Sequence, residues 1–181
     1  MNEPDIRETN DGIARKFGKI EADIAACTEA GKLFERLLLG SRAEFGIPFV
    51  WLSLLRTPET EALPGLLGKS AILRERINVI DPVSFLEICP DTAHPLLAGG
   101  DLRPFFRLMP PRIKYLLRSL AIAPLFCRGS LIGSLNHGDA SPDRYRPGME
   151  TGLLDHLART VSGQLSRLWP LEKSGATGGG N

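Results

Sequence analysis

Residues 119–149, with the sequence SLAIAPLFCRGSLIGSLNHGDASPDRYRPGM, decide the fold of this chain. Two runs rich in leucine, isoleucine and alanine stand on either side of the turn sequence Arg-Gly-Ser. Apolar runs separated by a short glycine-containing turn are typical of a β-hairpin. The segment also contains Cys127, His137 and Asp139, so it is the first place to ask whether the protein carries out covalent or metal chemistry.

A hairpin separates these three side chains too widely for a catalytic site. The turn puts Cys127 at one end, whereas His137 lies past the far end of the return strand, on the order of 20 Å away at about 3.3 Å per residue. A thiol and its general base must lie within hydrogen-bond reach, and His137 with Asp139 supplies too few ligands for a metal. We therefore predict no catalytic and no metal-ligating residues. We interpret Gly138 as a turn residue with positive φ and Asp139 as a cap for neighbouring amides.

The composition is that of an ordinary folded domain: 181 residues, 43% hydrophobic and 24% charged, with a formal net charge of +1. This charge creates no global field toward nucleic acid or an anionic membrane, so neither is expected as a partner. The first residues are polar and acidic, unlike a secretory signal, and no apolar run is long enough to cross a bilayer. The three cysteines are odd in number and scattered. We expect a cytoplasmic protein with reduced thiols.

Helices are predicted at both ends of a single domain. An apolar residue recurs every three or four positions in a stripe made of Ile13, Phe17, Ile20, Ile24, Cys27, Gly31, Phe34 and Leu38. Such a stripe either covers its own domain or pairs with a second chain, and the sequence leaves both alternatives open. The predicted boundaries are a flexible arm over 1–11, a domain over 12–170 with an N-terminal helical segment at 12–45 and a C-terminal helix at 148–168, and a disordered tail over 171–181.

Between these helices the sequence predicts strands and short helices. A strand is predicted over 47–56, where aromatic and β-branched residues concentrate. The stretch 57–80 is ambiguous, with a strand suggested at 75–80, and Asp81 before Pro82 predicts the start of a short helix. Because strands and helices do not alternate strictly, we predict an α+β fold with helices layered on a largely antiparallel sheet.

The sequences SLAIAPL, SLIGSLNHGD and SPDRYRPGMETGLLDHLARTVSGQL together resemble the C-terminal half of a GAF domain. More narrowly, they resemble an uncharacterised bacterial family of GAF-like proteins. The likeness runs over 117–168 and is carried by Pro124, Leu125, Gly133, Asp143, Arg144, Tyr145, Pro147, Gly148 and Met149. A weaker likeness covers 20–56, and 57–116 does not align. The chain departs from that family by extra residues at NHGDA and by a shorter N-terminal helical region.

This resemblance implies a GAF-like, PAS-like fold with a central antiparallel sheet of about six strands. The N- and C-terminal helices would cover one face, and short helices and loops the other. GAF-like folds bind small molecules between the sheet and the segment covering its second face, and many form dimers through their terminal helices. We therefore expect a homodimer and a small-molecule ligand, with the identity of the ligand and of any cofactor unknown.

Strand alternation suggests which side chains face such a cavity. Small side chains leave room for a ligand, hydroxyl and amide groups supply hydrogen bonds, and an indole stacks on a ring. The candidate ligand-binding residues in the strands are Trp51, Ser53, Ser119, Ala121, Ser134 and Asn136, with Ile132 on the same face as the last two. The alternative is that the small residues permit close helix packing and that Trp51 belongs to the core.

The basic segment 101–118 adds Arg103 and Arg107, which a helix would place on one face one turn apart. If this segment covers the cavity, the two guanidinium groups favour an anionic ligand such as a nucleotide; the alternative is a solvated surface.

Three functions remain open: a non-enzymatic sensory or regulatory module, a dimerisation scaffold without ligand, and a thiol-dependent reductase of the free methionine sulfoxide type. The third requires a thiol relay, which the placement of Cys27, Cys89 and Cys127 does not match.

Overall fold

The structure, a computed structural model, describes residues 3–176. Along the chain the elements are α1 (Glu3–Ala25), α2 (Ala30–Phe45), β1 (Phe49–Leu55), α3 (Leu63–Leu67), β2 (Ile77–Ile80), α4 (Pro82–Ile88), β3 (Leu96–Gly99), a 3-10 helix (Arg103–Leu108), β4 (Ser119–Cys127), β5 (Ser130–Asp139) and α5 (Gly152–Ala176). Within these residues no helix combines the length and the apolar character that a membrane span requires.

Five strands of the described chain form one mixed sheet in the order β2-β1-β5-β4-β3. β1 pairs with β2 in parallel, and the other pairings are antiparallel. The predicted α+β class and the largely antiparallel sheet are confirmed, with five strands where about six were expected. The strand suggested at 75–80 is present as β2, and it forms one edge of the sheet.

The hairpin predicted from the opening segment is the β4–β5 pair. Its two turn residues, Arg128 and Gly129, have φ values of 50° and 79°. Positive φ at both central positions is the conformation of a type I′ turn, whose twist matches that of the flanking strands. The sequence Arg-Gly-Ser therefore closes the hairpin directly after Cys127.

Two hydrophobic cores lie on opposite faces of the sheet. One, which we call the helix-side core, joins α1, α2, α3 and α5 to the sheet and includes Leu37, Leu52 and Val161. The other, the middle-segment core, lies under residues 81–118 and includes Phe85 and Leu108. We call residues 81–118 the middle segment. The terminal helices and the middle segment thus cover opposite faces, as the resemblance implies.

The apolar stripe of the N-terminal segment packs inside the chain. Ile20, Ile24, Phe34 and Leu38 are each at most 1% exposed and belong to the helix-side core. The sequence leaves two alternatives open, that the stripe covers its own domain or that it pairs with a second chain. These four side chains cover their own domain.

The ends of the chain differ from the predicted boundaries. Residues 3–11 belong to α1, although a flexible arm was predicted, because a fully exposed helix needs no apolar periodicity. Acidic residues in the first turn and an i,i+4 ion pair between Arg7 and Glu3 favour the helix.

The last helix begins at Gly152 and reaches Ala176, beyond the predicted end at 168, and the predicted tail is helical over 171–176. Residues 177–181 of that tail lie outside the described residues.

A break in the register of β4 and β5 changes one predicted face. The register shifts between Leu125 and Phe126, and Ile132 lies in the helix-side core, not on the face of the polar β5 residues as predicted. Gly133, with a φ of 147°, faces the backbone of β1 so closely that a Cβ would lie 1.8 Å from the carbonyl oxygen of Ser53. Only glycine allows the two strands to approach here.

Candidate functional site

Four of the predicted ligand-binding residues meet on the middle-segment face of the sheet. The register pairs Trp51 with Asn136 and Ser53 with Ser134, so their side chains point to the same side. All four are at most 1% exposed. The strands therefore bring together the polar groups that the sequence predicted to act together.

These four side chains are hydrogen-bonded to one another and to the middle segment. Trp51 Nε1 and Ser53 Oγ both donate to the carbonyl oxygen of Leu108, at 2.9 and 2.7 Å. Asn136 Nδ2 donates to Ser53 Oγ, and Ser134 Oγ donates to Asn136 Oδ1, each at 2.9 Å. We call this set the sheet-centre network. Its partners are supplied by the protein itself, in the place where a ligand was expected to supply them.

Ser119 and Ala121 lie on the opposite, helix-side face. Ala121 pairs with His137 across the β4–β5 ladder, and Ile122 pairs with Asn136. Alternation was therefore correct within β1 and β4, and within β5 except at Ile132. The prediction nevertheless joined faces of different strands that lie on opposite sides of the sheet. Ser119 is fully buried and its hydroxyl donates to the carbonyl oxygen of Ser141 at 2.7 Å.

Arg103 and Arg107 lie in a 3-10 helix, where residues four apart do not align, because that helix has three residues per turn. Each side chain is exposed and paired with a carboxylate. Arg103 Nη2 lies 2.6 Å from Asp101, and Arg107 Nη2 lies 3.0 Å from Glu87. The two guanidinium groups thus have separate anionic partners on the surface.

The strongest candidate site lies on the other face of the sheet. A pocket of about 490 Å³ opens between the first and last helices, and we call it the helix-side pocket. Its lining residues are mostly apolar and come from five parts of the chain: Asn10, Ile13, Phe17, Phe45, Ile47, Leu97, His137, Arg144, Tyr145, Met149, Glu150, Thr151, Leu153 and Leu154. This volume is within the range of small-molecule sites.

His137 supplies a buried polar group to this pocket. The residue is 4% exposed, and its Nε2 has no hydrogen-bond partner among the described residues. Burial, with a contribution from the nearby charge of Arg144, lowers the pKa of the imidazole to about 4. The ring is therefore neutral at neutral pH, and its Nε2 is left without a hydrogen-bond partner among the described residues.

Tyr145 supplies a second such group. Its hydroxyl is buried, and no group of the described chain lies in hydrogen-bond geometry with it. Burial raises its pKa to about 12, and the neighbouring Arg144 partly opposes this shift. The centroid of its ring lies 6.5 Å from that of His137. Buried polar groups are nearly always satisfied in folded proteins, so His137 and Tyr145 are the groups at this pocket whose hydrogen bonding is incomplete within the described chain.

Arg144 holds one wall of the pocket in place. Its Nη2 donates to the carbonyl oxygen of Phe45 at 2.7 Å, at the end of α2, and its Nη1 lies 3.4 Å from Asp139. The Asp-Arg-Tyr sequence in the loop before α5 thus connects that loop to α2 and carries Tyr145 into the pocket. Asp139 also accepts a hydrogen bond from the amide of Ser141, as predicted for a cap.

Gly138 differs from its prediction, because it lies within β5 and is not among the glycines with positive φ. A Cβ at this position would lie 2.8 Å from the side chain of Leu117 and 3.1 Å from that of Trp51. Close packing against the side chains of Leu117 and Trp51 therefore favours glycine at this position.

Trp51 also borders a second pocket, of about 600 Å³. Its rim includes Arg76, Glu75 and Arg112, and the last two form an ion pair at 3.2 Å. The indole NH of Trp51 is already bonded to Leu108. Unlike the helix-side pocket, this pocket presents no buried polar group without a partner among the described residues.

The three cysteines are divided between the two cores. Cys89 is fully buried in the middle-segment core, and burial raises the pKa of its thiol to about 11. Cys127 belongs to the helix-side core, and Cys27 packs against that same core. Among the side chains that the structure describes, no group of three or more His, Cys, Asp or Glu residues is placed to hold a metal ion.

Comparisons with known proteins identify the fold. No protein-family model matches the chain, and no curated protein matches it in sequence. The structure is similar to the X-ray structure of free methionine-R-sulfoxide reductase from Neisseria meningitidis in complex with its substrate. The TM-score is 0.57 at 17% sequence identity, and the match covers 83% of this chain and 87% of that chain. The chain therefore has a GAF-like α+β fold.

Proposed function

We propose that this GAF-like chain is a non-enzymatic sensory or regulatory module that binds a small molecule in the helix-side pocket. The observation that carries the proposal is the pair of buried, unpartnered polar groups, His137 Nε2 and Tyr145 Oη, at an otherwise mostly apolar pocket of about 490 Å³. An apolar pocket with a few convergent polar groups is the usual form of a small-molecule site.

The location of the pocket supports a regulatory role. Asn10, Ile13 and Phe17 lie on one face of α1, while His137 lies on β5, so a bound molecule contacts both the first helix and the sheet. A ligand that binds one position of α1 better than another shifts the protein toward that position. As part of the proposal, α1 and α5 transmit this change to a second copy of the chain in a homodimer.

Native mass spectrometry of the purified full chain, followed by denaturing release of bound molecules, tests the proposal. We expect a defined additional mass on the protein. Ile13→Trp should abolish it, because the larger side chain fills the pocket from α1. Leu39→Trp is the matched control, since Leu39 is 44% exposed on α2 and is not a lining residue.

An additional mass that persists in Ile13→Trp would place the ligand elsewhere. Wild-type protein without any bound mass, even after incubation with lysate metabolites, would favour the scaffold without ligand. The sheet-centre network favours that second candidate on the other face, because protein groups already satisfy one another there.

The division of the cysteines argues against a thiol-dependent reductase. A relay of disulfides requires thiols that meet one another. Here the sheet stands between Cys89 and the core to which Cys127 belongs. A buried thiol with a pKa of about 11 is also a poor nucleophile at neutral pH.

A further inference from the structure

The charges around the helix-side pocket indicate what kind of molecule it accepts. Arg144 is the only arginine or lysine among the lining residues, and its guanidinium is already engaged by Asp139 and by the carbonyl oxygen of Phe45. The lining also includes the carboxylate of Glu150. An anion that entered the pocket would lose hydration and would meet one lining cation that is already hydrogen-bonded, together with a carboxylate, and this is unfavourable.

The two unpartnered groups are both neutral hydrogen-bonding groups. Tyr145 Oη both donates and accepts, and His137 Nε2 does one or the other according to its tautomer. The rings of Phe17 and Phe45, whose centroids lie 4.5 Å apart, form an aromatic wall beside them. A ligand that fits these groups has an apolar, ring-containing body and one uncharged polar end.

We infer that the helix-side pocket takes an uncharged, mainly apolar molecule whose single polar group, a hydroxyl or a primary amide, hydrogen-bonds to His137 and Tyr145. This inference rests on the proposed function, because it specifies the ligand of the same pocket. It also replaces the anionic ligand expected from Arg103 and Arg107, whose guanidinium groups have carboxylate partners elsewhere.

Three probes with one apolar body and different charges test the inference: 4-butylbenzamide, 4-butylbenzoate and 4-butylbenzylamine. Each is titrated into the isotope-labelled full chain and followed by amide chemical shifts. We expect the neutral amide to bind at least about tenfold more tightly than the anion and the cation, with shifts centred on 137 and 145.

Two variants connect the binding to the hydroxyl of Tyr145. Tyr145→Phe removes only this group and should weaken binding of the amide about three- to tenfold, the usual range for one lost hydrogen bond. Tyr115→Phe is the matched control, because the other tyrosine of the chain is 77% exposed and lies outside the pocket. We expect the control to bind like the wild type.

Each outcome decides a separate point. Equal or tighter binding of the benzoate or of the benzylamine, still abolished by Ile13→Trp, would overturn the uncharged class and leave the proposed pocket intact. Failure of all three probes at millimolar concentration would overturn the ligand class, while native mass spectrometry would still decide the proposed function. Binding of the amide that Ile13→Trp leaves unchanged would overturn both.

Discussion

Trp51 and Ser53, two residues apart on β1, donate hydrogen bonds to the same carbonyl oxygen, that of Leu108. The acceptor ends the 3-10 helix, more than fifty positions later in the chain. One backbone oxygen thus fastens the middle segment to the centre of the sheet. Because all the groups are buried, losing any one leaves another without a partner, which costs more than the bond itself contributes.

Ser53→Ala should lower the free energy of unfolding by about 1–3 kcal/mol. The change removes one donor to Leu108 and the acceptor of Asn136 Nδ2. Urea unfolding followed by circular dichroism measures the loss. Ser130→Ala, at an exposed serine of β5, is the control and should change stability little. Equal stability of the two variants would mean that the network does not stabilise the fold.

Stability should fall as the pH is lowered from about 6.5 to about 4. The unfolded chain binds a proton at His137 near its ordinary pKa, whereas burial lowers the pKa of this group in the folded protein to about 4. As the pH falls, the unfolded state therefore binds a proton before the folded state does. The free energy of unfolding decreases by up to about 3 kcal/mol across this pH window. The pKa of the Asp101 carboxyl is lowered to about 2, so its protonation affects stability below this pH window.

His137→Gln should flatten this part of the profile of stability against pH, measured by urea unfolding at several pH values. His156→Gln, a matched change at an exposed histidine of α5, is the control and should keep the fall. A fall of equal size in His137→Gln would assign the pH dependence to other groups.

Gly133→Ala and Gly163→Ala should change stability in opposite directions. A Cβ at Gly133 would collide with the carbonyl of Ser53, and we expect a loss of more than about 3 kcal/mol or failure to fold. Gly163 is exposed in α5, with nothing within 4 Å of its Cβ position, so alanine should stabilise the helix by about 1 kcal/mol. Thermal unfolding compares the two. A neutral Gly133→Ala would show that β1 and β5 tolerate a wider separation.

Assay with free methionine-R-sulfoxide and dithiothreitol should show no methionine above the background without protein. The reason is the separation of Cys89 from the two thiols at the helix-side core. The similar reductase serves as the positive control. Turnover by this chain that disappears in Cys89→Ser would overturn our proposal and establish an enzyme.

Local signals in the sequence predicted the elements that depend on neighbours in the chain. The hairpin follows from its turn residues. The short helix α4 follows from Asp81, whose carboxylate accepts a hydrogen bond from the amide of Ser84, with Pro82 at the first helical position. The strand β3, by contrast, is four residues long and exists through its pairing with β4, so no local pattern indicated it.

The candidate site could not be predicted, because its residues come from distant parts of the chain. The hairpin pattern correctly predicted that His137 and Cys127 lie far apart. The position of His137 beside Phe45 and Ile13 depends on how α1 and α2 pack, which no local pattern shows. The Asp-Arg-Tyr sequence carries only a family resemblance in the sequence, because its contact with the distant carbonyl oxygen of Phe45 depends on the folded structure. The alternation of side chains along a strand likewise predicts two faces, but it does not predict which of them packs against the helices.

The order β2-β1-β5-β4-β3 has a consequence for synthesis of the chain. The central strand, β5, is the last of the five to leave the ribosome. Until it emerges, β1 can pair only with β2, and β3 only with β4, so a nascent chain ending before residue 130 holds two unconnected sheet fragments with apolar edges. Exposed edges of this kind are prone to association. The growing chain is therefore most vulnerable just before its hairpin closes, and β5 completes the whole sheet in one step.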